Sequence, residues 1–200
     1  MSTVVTRVTG AVLTAGGVAV LIAAFIPSLY PVWTARGVDA VALIARHRGS
    51  WQVANVLFAV GAGLTLAGLA ALTSLLDRQP LPTVGLALMA LASVLWLANL
   101  AFRLTVTVRV SGRAAVPDWY EDVNAWTGGL WSIAAVAGAL AMLCYGFAVT
   151  GSRLLPGWTG WVAVGIGVLM LGLFLVTRDV PPLLLYLAPT AFGVTALLRR

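Results

Sequence analysis

The chain has 200 residues, 61% of them hydrophobic and only 9% charged, with a mean hydropathy of +1.01. Soluble domains carry roughly a quarter charged residues, so this chain lacks the polar surface to dissolve alone, and its composition is that of an integral membrane protein. The net charge of +6 comes from twelve basic residues that are all arginine, scattered in ones and twos between apolar runs as topology and lipid-headgroup contacts are, and not gathered into the stripe that nucleic acid requires.

Six stretches are apolar and long enough to cross ~30 Å of hydrocarbon at 1.5 Å per residue. Backbone groups in lipid must be satisfied internally, so each is expected to be a helix. The expected fold class is all-α: a polytopic membrane protein with six transmembrane helices in one bundle, a single domain over residues 1–200. The helices are placed at about 8–30, 50–76, 81–106, 120–152, 154–177 and 180–198.

The first run, after Arg7, resembles a signal peptide but is longer than such a segment and has no A-x-A site; it is read as a retained first helix. Between the first and second helices, 38–45 reads Val-Asp-Ala-Val-Ala-Leu-Ile-Ala, too apolar for water and too short to span. A short helix lying on the surface or capping the bundle is expected there. The second and third helices meet in a tight turn at 77–80, whereas 103–122 forms a longer loop. The fourth and fifth meet in a tight turn at 151–153, and the fifth and sixth at Arg178–Asp179. The sixth opens on Pro181-Pro182 and is interrupted by Pro189, which should bend it.

Both termini therefore fall on one face and both long loops on the other. The loop face carries seven arginines (36, 46, 48, 103, 109, 113 and 178) and the terminus face five (7, 78, 153, 199 and 200). A strict basic-residue count leans toward the loop face as cytoplasmic. Arg103 and Arg109 can instead extend the third helix, and short arginine-bearing turns with a Leu-Leu-Arg-Arg tail are typical of the cytoplasmic side. The termini are accordingly assigned inside, in the cytoplasmic membrane of a bacterium; an all-arginine chain rich in Ala, Val, Leu and Gly suggests a GC-rich bacterial coding sequence. Tryptophans 33, 51, 119, 126 and 131 cluster at the loop boundary, as an aromatic belt does, with Trp96 deeper. Small residues recur at helical spacing, among them Gly10 and Gly17, Gly61 and Gly68, and Gly167 and Gly172, and permit close helix approach within one bundle or between copies.

Most site chemistries are absent from the sequence. A single histidine, His47, and a single cysteine, Cys144, give no paired-histidine haem or zinc site and no thiol relay. There is no phosphate loop or G-x-S-x-G elbow, and no acid inside an apolar run of the kind proton-coupled transport uses. No metal and no cofactor is expected. The remaining polar material lies on the loop side: Arg46-His47-Arg48, then Arg103, Arg109 and Arg113, then Asp118, Glu121, Asp122 and Asn124. His47, Glu121 and Asp122 are the candidate catalytic groups if this rim is hydrolytic. Arg103, Arg109, Asn99 and Asn55 are the candidate ligand-binding groups. Asn99 stands four residues before Arg103 and shares its face. The competing reading is a solvated rim in which Arg109 or Arg113 pairs with Asp122.

The run Gly151-Ser-Arg-Leu-Leu-Pro-Gly-Trp-Thr-Gly-Trp161, and less closely the turn at 75–82, resembles a segment of small six-helix bacterial membrane proteins of unknown function. The resemblance implies the layout and no active site. The leading functional expectation is a non-catalytic bundle, accessory or sensor-like or binding a lipid or small ligand. The partners expected are membrane lipids, a second copy or a partner membrane subunit, and not nucleic acid. An enzyme acting on a lipid headgroup at the outer leaflet and a small-molecule transporter or channel are the alternatives.

Overall fold

The computed structural model describes residues 3–76 and 80–199, and among them only helices, turns and connecting loops occur. Helix α1 spans Thr3–Ala24; a 3-10 turn at Pro27–Leu29 leads into the short α2, Tyr30–Thr34, and then α3, Gly37–Arg46. The long α4, Arg48–Leu75, and α5, Pro80–Phe102, follow. A π-helical turn, Arg103–Thr107, and the short α6, Val108–Val110, carry α5 further; then come α7, Trp119–Thr150, α8, Gly157–Thr177, and α9, Leu184–Leu198.

Five helical segments are long and apolar enough to cross a membrane: Val4–Ala24, Arg48–Leu75, Pro80–Val110, Trp119–Thr150 and Gly157–Thr177. The sixth expected span, 180–198, is reduced to the 15 residues of α9, which rise about 22 Å against ~30 Å of hydrocarbon. Pro181 and Pro182 hold 181–183 in a turn, and helix begins only at Leu184. The first expected span likewise stops at Ala24 rather than 30, because Pro27 and Pro31 restart the chain in a new direction. The expected short helix at 38–45 is α3. The turn at 77–79, including Arg78 and Asp77, lies outside the described residues.

The long helices pack in chain order: α4 on α5, α5 on α7, α7 on α8, α8 on α9; α1 packs on both α4 and α9, which closes the ring. Helix α7 is the most buried; it carries large side chains inward at Trp131, Met142 and Tyr145, and between 134 and 141 its buried residues are all small: Ala134, Ala135, Ala137, Gly138, Ala139 and Ala141. Without side-chain bulk its backbone can sit deep among its neighbours, where dispersion contacts rather than water exclusion hold helices together. Glycine pairs set the closest crossings. A Cβ added at Gly160 of α8 would lie 2.6 Å from the Gly146 carbonyl of α7, and one at Gly193 of α9 would lie 2.8 Å from the Gly10 carbonyl of α1. Some of the glycines that suggested close packing serve otherwise, since a Cβ at Gly63 or Gly172 meets nothing within 4 Å. Away from the loop side, the Tyr145 and Thr73 hydroxyls bond at 2.6 Å and tie α7 to α4.

Gly160→Leu must therefore push α7 and α8 apart, with an overpacking cost of about 1–3 kcal/mol. A lowered thermal midpoint in detergent is expected for Gly160→Leu and an unchanged one for Gly165→Leu, whose Cβ meets open space. Equal midpoints would show that the α7–α8 crossing does not depend on glycine.

Candidate functional site

Arg103 is the one charged residue carried at the inner end of the loop-side rim, and the geometry around it follows from two helical faces. On α4, Trp51, Asn55 and Phe58 stand at i, i+4 and i+7; on α5 and its continuation, Trp96, Asn99 and Arg103 stand at i, i+3 and i+7, so each set lines one face. The helices run antiparallel. Phe58 meets Trp96 edge-on at 5.9 Å, and the Arg103 guanidinium carbon lies 5.8 Å from the Trp51 ring centre and 5.3 Å from that of Trp96. The two asparagines occupy the level between. Both are buried, and each spends its amide N–H on a carbonyl: Asn55 on Trp51 at 2.7 Å, Asn99 on Thr127 of α7 at 2.8 Å. Their Oδ1 atoms and the Trp96 Nε1 have no hydrogen-bond partner.

The π-helical turn begins at Arg103. Thr105 turns its hydroxyl back onto the Ala101 carbonyl at 2.7 Å, a bond that competes with the regular ladder and bends helices. Trp51 Nε1 donates to the Arg103 carbonyl at 3.2 Å, and Tyr120 donates its hydroxyl to Thr107 at 3.1 Å. The irregular turn is thus stitched to α4 on one side and to the start of α7 on the other. Single wide turns of this kind recur at functional positions.

Above the turn lies a cavity of about 510 Å³. Its floor and one wall come from Trp51, Arg103, Thr107, Tyr120, Glu121 and Asn124. The opposite wall comes from the strap α2–α3: Val32, Trp33, Arg36, Gly37, Val41 and Ile44. Arg103 is half-buried, whereas Glu121 and Arg36 are exposed at the mouth. The strap bends at Ala35 and Arg36, both extended, and at Gly37, whose φ of +55° is a left-handed conformation that side chains disfavour. A Cβ at Gly37 would lie 3.9 Å from Glu121 Oε1, so the carboxylate stands at the N-terminal end of α3, where the helix dipole favours negative charge.

Of the sequence-derived candidates, Arg103 and Glu121 converge on this cavity, and Asn55 and Asn99 lie beneath it within the bundle. Arg109 does not join them. Six residues after Arg103 it points to another side and lines a separate groove of about 330 Å³ with Arg113 and Trp119. Asp122, one residue past Glu121, and His47, at the α3–α4 junction, are not in the cavity wall. The ion-paired rim does not form either: among the described residues no arginine nitrogen comes within 4.0 Å of a carboxylate oxygen. Trp33, Trp51, Tyr120, Thr107 and Arg36 were not singled out as site residues from the sequence, because tryptophans at this boundary read as an interfacial belt. Comparison with protein-family models, curated proteins and solved structures finds no match for this chain.

Trp51→Phe keeps a ring beside Arg103 and deletes the donor to its carbonyl together with part of the buried indole. A loss of at least about 1 kcal/mol is expected, the net value of one such bond, read as a lowered midpoint in chemical or thermal unfolding. A midpoint equal to wild type would show that the π-helical turn does not need this tie.

Proposed function

We propose that this chain is a non-catalytic membrane protein that binds a lipid or small amphipathic ligand in the loop-side cavity, with Arg103 as its polar anchor. The observation that carries the reading is a half-buried arginine, held over two tryptophan faces and, among the described residues, without a carboxylate within ion-pair distance, in the wall of a cavity large enough for a headgroup. A buried charge is costly unless something compensates it. Aromatic faces supply part of that compensation, and an anionic group of a ligand would supply the rest. The apolar lining from Val32, Val41 and Ile44 suits the adjoining acyl or alkyl part. The enzyme alternative needs a positioned base beside the ligand; His47 stands outside the cavity wall and Glu121 faces the α3 terminus, which favours binding over turnover.

In this reading α9 and the proline turn before it complete a sixth crossing, and the ring sits in a bacterial cytoplasmic membrane with both termini inside and the cavity facing out. Small six-helix bacterial membrane proteins of unknown function, which the 151–161 turn resembles, are the family proposed.

Two measurements test these statements. Cysteine introduced at Ala114 in a Cys144→Ala background should react with an impermeant thiol reagent on intact cells, and cysteine at Gly151 should not; both sites are exposed. The reverse pattern overturns the orientation. For the ligand, protein purified in mild detergent should retain lipid of unaltered mass in native mass spectrometry. Arg103→Gln should reduce that occupancy by at least about tenfold, the value of one charge-assisted contact. So should Ala40→Phe, which fills the cavity and keeps every charge. Equal retention in both variants, with helicity unchanged, refutes the site.

A further inference from the structure

The cavity holds fixed charges of opposite sign that do not neutralise each other. Arg103 is set in the floor by Trp51 and Trp96, and Arg36 stands in the strap. Glu121 lines the same cavity, yet no arginine nitrogen comes within 4.0 Å of its carboxylate. Free side chains of opposite sign around one cavity would ordinarily close into a pair. Here each is held back: the guanidinium lies over aromatic faces, and the carboxylate is drawn to the N-terminal end of α3 beside Gly37. A ligand carrying negative charge alone would gain at Arg103 and lose at Glu121. A ligand with an anionic and a cationic group a few bonds apart would gain at both.

Resting on the binding function proposed above, we infer that the cavity selects a zwitterionic phospho-amino headgroup, with its phosphate at Arg103 and its ammonium at Glu121. The apolar strap residues then take the start of the acyl chains. The same headgroup chemistry occurs in a membrane lipid and in its water-soluble glycerophospho-amine, and the separation of the two charges, not the tails, is what the cavity matches.

The test uses full-length protein in detergent and the quenching of its tryptophan fluorescence by four probes: dihexanoyl phosphatidylethanolamine, dihexanoyl phosphatidylcholine, dihexanoyl phosphatidylglycerol and tail-free glycerophosphoethanolamine. Wild type should prefer the ethanolamine or choline lipid to the glycerol lipid by about tenfold or more, the worth of one charged contact. Glu121→Gln retains an oxygen for the α3 terminus while losing the charge. It should erase that preference, weakening the ethanolamine and choline lipids and tightening the glycerol lipid, whose anion no longer loses at Glu121. Arg103→Gln should weaken all probes alike. If the four bind wild type with equal affinity, or Glu121→Gln leaves the preference intact, the zwitterion inference is wrong while the binding function stands. If no probe binds, both fall. Tail-free glycerophosphoethanolamine binding as tightly as its lipid would keep the headgroup assignment and make the ligand water-soluble. Because the wild-type preference is read without any substitution, a misfolded variant does not remove the test.

Discussion

A guanidinium resting over two indole rings organises the loop-side half of this bundle. Arg103 stands where α5 ends, half-buried in the cavity wall, and Trp51 and Trp96 supply the electron-rich faces that offset part of its desolvation. From those two rings the arrangement spreads outward. Trp96 packs at 4.5 Å against Trp131, whose Nε1 holds the Val180 carbonyl and so fixes the α8–α9 turn. Trp51 packs at 5.7 Å against Trp33, which brings the strap over the cavity. Elements from nearly the whole chain thus converge on one side chain, and a shift of that side chain would be felt in each of them.

Two kinds of packing coexist. The ring of long helices is held by small residues at backbone distance, with Gly160 against Gly146 and Gly193 against Gly10 as its tightest points. Such crossings have no slack, because there is no side chain to rotate away. The strap is different. Its helices are short, its bend at Ala35 and Arg36 is extended, and it meets the bundle through a few buried aliphatic side chains, Val32, Val41 and Ile44, and through Trp33 against Trp51. A rigid floor under a lightly held roof suits a cavity that must admit a bulky guest without disturbing the bundle.

The long helices were legible in the sequence because charge-free length is nearly a sufficient signal in a chain this apolar. The ends were not. Prolines at 27, 31, 181 and 182 move two boundaries inward, and a π-helical turn stands at Arg103–Thr107 where a plain helix is expected. The pairing of Asn99 with Arg103 on one face was legible from a spacing of four. Their meeting with Trp51 and Asn55 depended on the register of two antiparallel helices, which no local pattern encodes. Arg109 was grouped with Arg103 through nearness in sequence, but six residues on a helix turn a side chain to another side. Glu121 and Asp122 are separated by the same rule: adjacent residues on a helix do not face one way.

The closure of the ring between α1 and α9 has a consequence for how the protein is made. Gly10 is synthesised before its partner Gly193 by nearly the whole length of the described chain. Chains fold as they emerge, from the N-terminal end. Helix α1 can dock on α4 early, but its other glycine-bearing flank waits through the synthesis of α5, α7 and α8 before α9 covers it. For that interval the nascent chain is an open arc with two unmatched edges, and the same flank that will receive α9 is free to receive a neighbouring chain's.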